Sequence, residues 1–267
     1  MRTVLALTLA GFLAYGKAQA HEFWIDALGY AVPPGTTIAG DLRVGSEFEG
    51  VSNAYVPRHF TRFEVWLDGE ARPVERRIGD LPALVMEGLP EGLAIVAHET
   101  TSSRLTYADE WDRFLGFAEH KDFGDVAALH DGRGLSRDRF VETFSRHAKS
   151  LIAVGAGAGQ DFEIGLTIEI VALANPYTDD LTAGLPVQVF YEGATQADVQ
   201  VELFDRAPDG TVTITLHRTD ADGIAVLPVE AGHTYLADHV VLEPVEPEEE
   251  TGPVWHSYWA SLTFAVP

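Results

Sequence analysis

The chain has 267 residues, 46% of them hydrophobic, a formal net charge of −23 and no cysteine. So large an excess of acid excludes nucleic acid and anionic membrane surfaces as partners. Without cysteine there are no disulfides, thiolate metal sites or cysteine nucleophile, so a metal would have to be held by histidine, carboxylate or a terminal amine.

Residues 1–20 have the three parts of a secretory signal peptide: a basic start at Arg2, an apolar run from Val4 to Tyr15, and small residues Ala18 and Ala20 around Gln19. Cleavage after Ala20 is expected, giving a periplasmic protein whose mature chain starts at His21. The apolar run falls short of the ~20 residues a spanning helix needs, so no stable membrane anchor is expected. Loss of Arg2 and Lys17 with the leader takes the charge from −23 to −25.

Residues 21–107 predict an N-terminal β-sandwich domain. Apolar and polar residues alternate from Phe60 to Leu67, and turn signals stand at Pro33-Pro34-Gly35, Asp68-Gly69 and Glu91-Gly92. Over 108–154 the period changes. Trp111, Phe114 and Leu115 cluster, and Phe140, Phe144, His147 and Leu151 share one helical face after the candidate N-cap Ser136, which predicts a helical insert of two or three helices. Residues 155–161, opening with Gly155-Ala156-Gly157-Ala158-Gly159, predict a linker. Residues 162–267 hold seven short alternating runs with turns at Pro208-Asp209-Gly210 and Asp220-Ala221-Asp222-Gly223, as in a C-terminal immunoglobulin-like sandwich. The expected fold is therefore mainly β: two β-sandwich (immunoglobulin-like) domains with a helical insert between them.

The new terminus is the first candidate for chemistry. A free α-amine beside its own imidazole would let His21 close a chelate ring on nickel, cobalt or copper, and the order of first-row affinities favours copper. Of the other nine histidines, His98 ends a predicted strand, where a loop could present it. His120 is expected to open a helix among Glu119 and Asp122, carboxylates that could orient its imidazole. His21, His98 and His120 form the expected metal site. Asp220-x-Asp222-Gly223 is explained by a turn, because the remaining ligands of a calcium loop do not follow. No nucleophile elbow, phosphate loop or dinucleotide fingerprint occurs, so no catalytic residue is assigned and no enzyme is expected.

The sequence resembles the domain-of-unknown-function 4198 family, grouped with periplasmic components of nickel and cobalt uptake systems. The resemblance is carried by His21-Glu22-Phe23-Trp24-Ile25, by Phe144 to Leu151, by Ala174-Asn175-Pro176-Tyr177 with Leu185 to Val189, by Thr219 to Gly223, and by Ser257 to Phe264. It departs from the pattern at His147 and His256, where tyrosine and glutamate are more usual, which argues against a ligand role for either. The resemblance implies a periplasmic protein that binds or delivers a transition metal (nickel, cobalt or copper) beside a membrane metal transporter. Two other readings compete with it: a non-metal module that captures a protein or glycan partner, and a histidine-brace copper oxidase.

Overall fold

The computed structural model describes residues 22–267. His21 and the leader lie outside the described residues. The chain runs β1 (Glu22–Ala27), β2 (Ala31–Val32), β3 (Ile38–Ser46), β4 (Glu49–Asn53), β5 (Phe60–Leu67), β6 (Glu70–Pro73), β7 (Leu84–Met86), β8 (Gly92–Thr100), β9 (Ser103–Ala108), α1 (Trp111–His120), α2 (Val126–Gly132), β10 (Arg139–Val154), β11 (Ile168–Ala172), β12 (Leu185–Tyr191), β13 (Ala194–Thr195), β14 (Gln200–Arg206), β15 (Val212–Arg218), β16 (Ile224–Leu227), β17 (Thr234–Pro244) and β18 (Trp255–Ala265). It is mainly β and built as a sandwich, as expected.

A ten-stranded sheet is the frame, ordered β15-β14-β17-β18-β10-β8-β5-β6, with β2 and β9 also on β10. Successive side chains on a strand point to opposite faces, and each face of this sheet has its own core. Ala148, Ile152 and Val154 of β10 pack with Phe23, Ile25, Leu42 and Leu84 of the four-stranded sheet formed by β1, β3, β4 and β7. Leu151 points the other way and packs with Ile168, Ile170, Val187 and Val189 of the sheet formed by β11, β12, β13 and β16. Two sandwiches thus share one central sheet whose strands come from both halves of the chain.

β10 is where the sequence misleads. The predicted helical face of Phe140, Phe144, His147 and Leu151 is instead a sixteen-residue strand, parallel to β18 and antiparallel to β8 and β9. Because β10 is covered on both faces for most of its length, it lacks the polar–apolar alternation of a half-exposed strand, and a chance spacing of aromatics imitates a helix. Two helices do form in the insert. α1 and α2 close over Trp255, Trp259 and Phe140 through Phe114, Phe117 and Val126.

The glycine-rich segment is pinned at both ends. Ala158 O accepts from Leu93 N at 2.8 Å, and Asn175 Nδ2 donates to Gly157 O and Gly159 O at 2.8 and 2.9 Å. Gly157 has φ 65°, and a Cβ there would lie 2.6 Å from Ala153 Cβ, so glycine serves close approach rather than flexibility. Just beyond, the buried Lys149 ammonium binds Asp161 at 2.7 Å and Glu169 at 2.9 Å. The Asp220 turn joins β15 to β16 in a different sheet instead of closing a hairpin, and Asp220 Oδ1 accepts from the backbone N–H groups of Asp222 and Ile224.

Candidate functional site

All six residues of β1 are buried. Its alternation sends Phe23 toward the first core and Glu22 toward β14 and β17, and the candidate site is built around these two neighbours.

On the Phe23 side stands His98, near the end of β8 as expected but in the interior. Its imidazole lies among Phe23, Phe60 and Phe63, with ring centroids 5.2, 5.2 and 4.9 Å away. Burial, reinforced by the charge of a protonated His147, pushes its pKa down to about 3, so the ring is neutral at ordinary pH. Nδ1 of His98 is buried and meets no hydrogen-bond partner. The ring borders a cavity of about 210 Å³ whose walls include Phe23, Asn53, His59, Thr100 and Arg146. Beside this cavity the β8–β9 segment slips by one residue against β10: Ile95 pairs with Leu151, but Ser103 pairs with Phe144. Thr101, another wall residue, lies in the stretch between β8 and β9 over which that slip occurs.

On the Glu22 side stands Lys121, which follows the last residue of α1. Its ammonium lies 2.6 Å from Glu202, 2.7 Å from Asp238 and 3.6 Å from Glu22, with every one of these side chains at most 4% exposed. It also sits 5.4 Å from the Trp259 ring centroid. Burial raises the carboxyl pKa of Glu22 to about 8 against the pull of Lys121. Burial also opposes ionisation of Glu202, yet His120 and Lys121 together hold that carboxyl down at about 2. For Lys121 itself, the three carboxylates outweigh burial and keep the ammonium charged.

His120 closes α1 instead of opening a helix, and its side chain is 47% exposed. The carboxylate that orients it is Glu202, 3.2 Å from Nε2, rather than Glu119 or Asp122. That hydrogen bond raises its pKa, favouring the protonated form that cannot ligate a metal. The structure does not bring His98 and His120 together. Glu202 on β14 and His98 on β8 are separated by four strand-to-strand steps, each about 4.8 Å, whereas ligands of one ion lie within a few ångströms of each other.

Among the described residues, no group of three or more histidines and carboxylates is arranged to hold a metal. His256 is engaged at both ring nitrogens, 2.8 Å from Thr143 Oγ1 and 3.2 Å from Ser145 Oγ. His147 lies on the opposite face of β10 from Phe144 and Arg146, with Nε2 3.8 Å from Glu99. His59 and Arg146, which share the cavity with His98, carried no signal in the sequence, because only the folded sheet brings residues 23, 59, 98 and 146 to one place.

The family model described as a domain of unknown function (DUF4198) matches residues 18–242, most of the chain. The chain belongs to the DUF4198 family. The cavity, the Lys121 cluster except for its surroundings after residue 242, and all of the helical insert fall inside the DUF4198 match. No curated protein matches the chain. A solved structure titled as a tetra-tandem repeat in the extending region of a large adhesion protein is similar over 92% of this chain, at 10% identity and a TM-score of 0.22. The chain spans about half (49%) of that protein's length. Among the described residues no helix is long and apolar enough to cross a membrane.

Proposed function

We propose that this protein is exported to the periplasm, cleaved after Ala20, and binds or delivers a transition metal (nickel, cobalt or copper) beside a membrane transporter. The observation that carries this reading is the buried, neutral His98 imidazole. Its Nδ1 has no hydrogen-bond partner, and His98 helps line a cavity also walled by Phe23, two residues after the expected mature terminus. A neutral imidazole with a free ring nitrogen is a competent ligand, and burial maintains that state down to acid pH. The amine and imidazole of His21 supply the other donors, and His59 on the same cavity wall replaces His120 as a further one. When bound, the ion would be held by nitrogen donors alone, a set that suits copper and nickel.

Isothermal titration of the chain beginning at His21 with Ni(II), Co(II) and Cu(II) tests the reading. At least one metal is expected to bind with micromolar affinity or better. Acetylating the amine, or the His98→Phe substitution that preserves the aromatic cluster, is expected to weaken binding at least about tenfold, or by about 1.4 kcal/mol. His120→Ala is expected to leave it unchanged. No binding tighter than millimolar to any of the three would sink the proposal.

A further inference from the structure

The two edges of the ten-stranded sheet differ. β6, at one end, is four residues long and carries Glu70, Arg72 and Pro73. Short length, charge and proline are devices that keep a sheet edge from pairing with another chain. β15, at the other end, has none of them along its middle. It runs seven residues, Val212-Thr213-Ile214-Thr215-Leu216-His217-Arg218, without acid or proline, although the chain holds 41 acidic residues. Among the described residues no strand pairs with its outer side. Thr213, Ile214, Thr215 and Leu216 are all exposed, Ile214 at 39% and Leu216 at 58%.

Ladder parity fixes which backbone groups this edge offers. Just beyond its two ends, Ala207 N donates to Thr211 O at 2.9 Å and Thr219 N donates to Val199 O at 3.0 Å, in the register that joins β14 to β15. Such bonds recur at every second residue of an antiparallel pair. The odd-numbered residues therefore bond β14, and the N–H and C=O groups of Val212, Ile214, Leu216 and Arg218 point outward. The side chains of these four lie on the face of Phe204, whose cluster Val212 joins. Arg218 turns back to Asp122 and Asp198 of its own chain.

We infer that β15 is the contact through which two copies of this chain associate, edge to edge and antiparallel, about a two-fold axis at Thr215. In that register all seven residues pair. Ile214 faces Leu216 of the second copy, Leu216 faces its Ile214, and every such pair joins two residues with outward backbone groups. Main-chain bonds and apolar cross-strand contacts thus form together. A slip of one residue would set outward groups against inward ones, and a slip of two would shorten the ladder. Two chains of charge −23 repel, and on a strand without acid no carboxylate is set against another. Seven residues a side is well below the ~20–30 of a standard interface, so the dimer is weak and concentration-dependent. Neither a metal nor the chain terminus takes part.

Because the chain has no cysteine, a single introduced thiol reads the register. Thr215→Cys places both sulfurs on the axis, in a pair with Cα atoms about 4.5 Å apart, within disulfide range. Thr213→Cys, on the same face of the same strand, leaves them more than about 12 Å apart. With oxidised glutathione as oxidant and EDTA present, Thr215→Cys is expected to cross-link at least about tenfold faster than Thr213→Cys. Sedimentation equilibrium of the parent is expected to give a dimer Kd of about 10–100 μM, tightening several-fold between about 0.05 and 0.5 M NaCl as repulsion is screened. Ile214→Pro removes an outward N–H that β14 does not use and is expected to weaken the dimer at least about tenfold. If proline disturbs the fold, the two cysteine variants decide alone. A parent that stays monomeric up to about 300 μM, or equal cross-linking of the two cysteine variants, would overturn the inference.

Discussion

Replacing Lys121 by methionine is expected to destabilise the protein by about 3–5 kcal/mol at pH 8, the usual cost of removing one partner from a buried ionic network. Methionine matches the length of the stem and keeps its packing on Trp259, so the loss reports the charge. Without the ammonium, three carboxylates face one another in the interior with only the half-exposed His120 and the charge of Arg146 to offset them. They can escape by taking up protons, and Glu22, already held up to about 8 by burial, is the first to do so. The sign follows from linkage. A carboxyl whose folded pKa is raised is favourable below its unfolded value near 4.5 and loses that contribution as pH rises through the folded value. Removing Lys121 raises these pKa values further, so the penalty grows with pH. Urea unfolding of both proteins at pH 5.5 and pH 8 checks this: the gap is expected to be wider at pH 8. A gap below about 1 kcal/mol at pH 8, a magnitude typical of exposed pairs, would mean that water screens the cluster.

Local signals in the sequence translated well where one face of a strand meets solvent. The alternation from Phe60 to Leu67 is β5 residue for residue, and Asp68-Gly69 is its turn, both residues at positive φ. Sequence patterns failed where burial is two-sided or polar. β10 carries Glu142, Ser145, His147, Lys149 and Ser150 into the interior, and no periodic rule anticipates polar residues that find their partners only across the sheet. Glu119-His120-Lys121-Asp122 points, as sequence, only to carboxylates that could orient His120, yet it is Lys121 that is buried, because β14 and β17 bring carboxylates to it. His98 was legible as the end of a strand but not as a member of an aromatic cage, since Phe23, Phe60 and Phe63 come from two other strands. His120 drew attention for its neighbours in sequence, whereas its partner, Glu202, is 82 positions away.

The placement of β1 explains why the cavity and the carboxylate cluster meet at one strand. A strand with one buried face can be shifted or frayed at modest cost, but β1 is fixed on both. Phe23 and Ile25 lock into the first core, Trp24 packs against Phe48, Phe204 and Leu236, and Asp26 pairs with Arg43 at 2.9 Å and Arg206 at 3.1 Å. Trp24 in turn requires glycine opposite, since a Cβ on Gly50 would come within 2.8 Å of its ring. The chain therefore holds the position after residue 21 rigidly between a cavity with a neutral imidazole and a pocket of carboxylates. A ligand or a charge placed at that terminus gains from this preorganisation, because little conformational entropy remains to be lost there.

Acidification is expected to destabilise the protein through histidines that fold without their proton. Burial lowers the pKa of His147 and of His239 to about 4, and of His98 to about 3. A group with a depressed folded pKa contributes stability that is complete above the unfolded value near 6.5 and is lost as pH falls toward the folded value. Here that window runs from about 6.5 down to 4. Each such histidine contributes a slope of up to about 1.4 kcal/mol per pH unit, and three together up to about 4. Carboxyls raised by burial, among them Asp161, Glu142 and Asp238, act in the opposite sense over part of the same range. The net curve therefore mixes both, and a single substitution isolates the histidine contribution. His239 Nδ1 donates to Gln200 O at 2.8 Å, and asparagine places an amide N–H at the same distance along the side chain without titrating. His239→Asn is therefore expected to flatten the acid limb by about 2 kcal/mol between pH 6 and 4.5 while leaving stability at pH 7.5 within about 1 kcal/mol of the parent. Denaturant midpoints at half-unit pH intervals provide the measurement. Superimposable acid limbs for the two proteins would show that His239 takes up its proton in the folded state, and that the interior around β17 admits water.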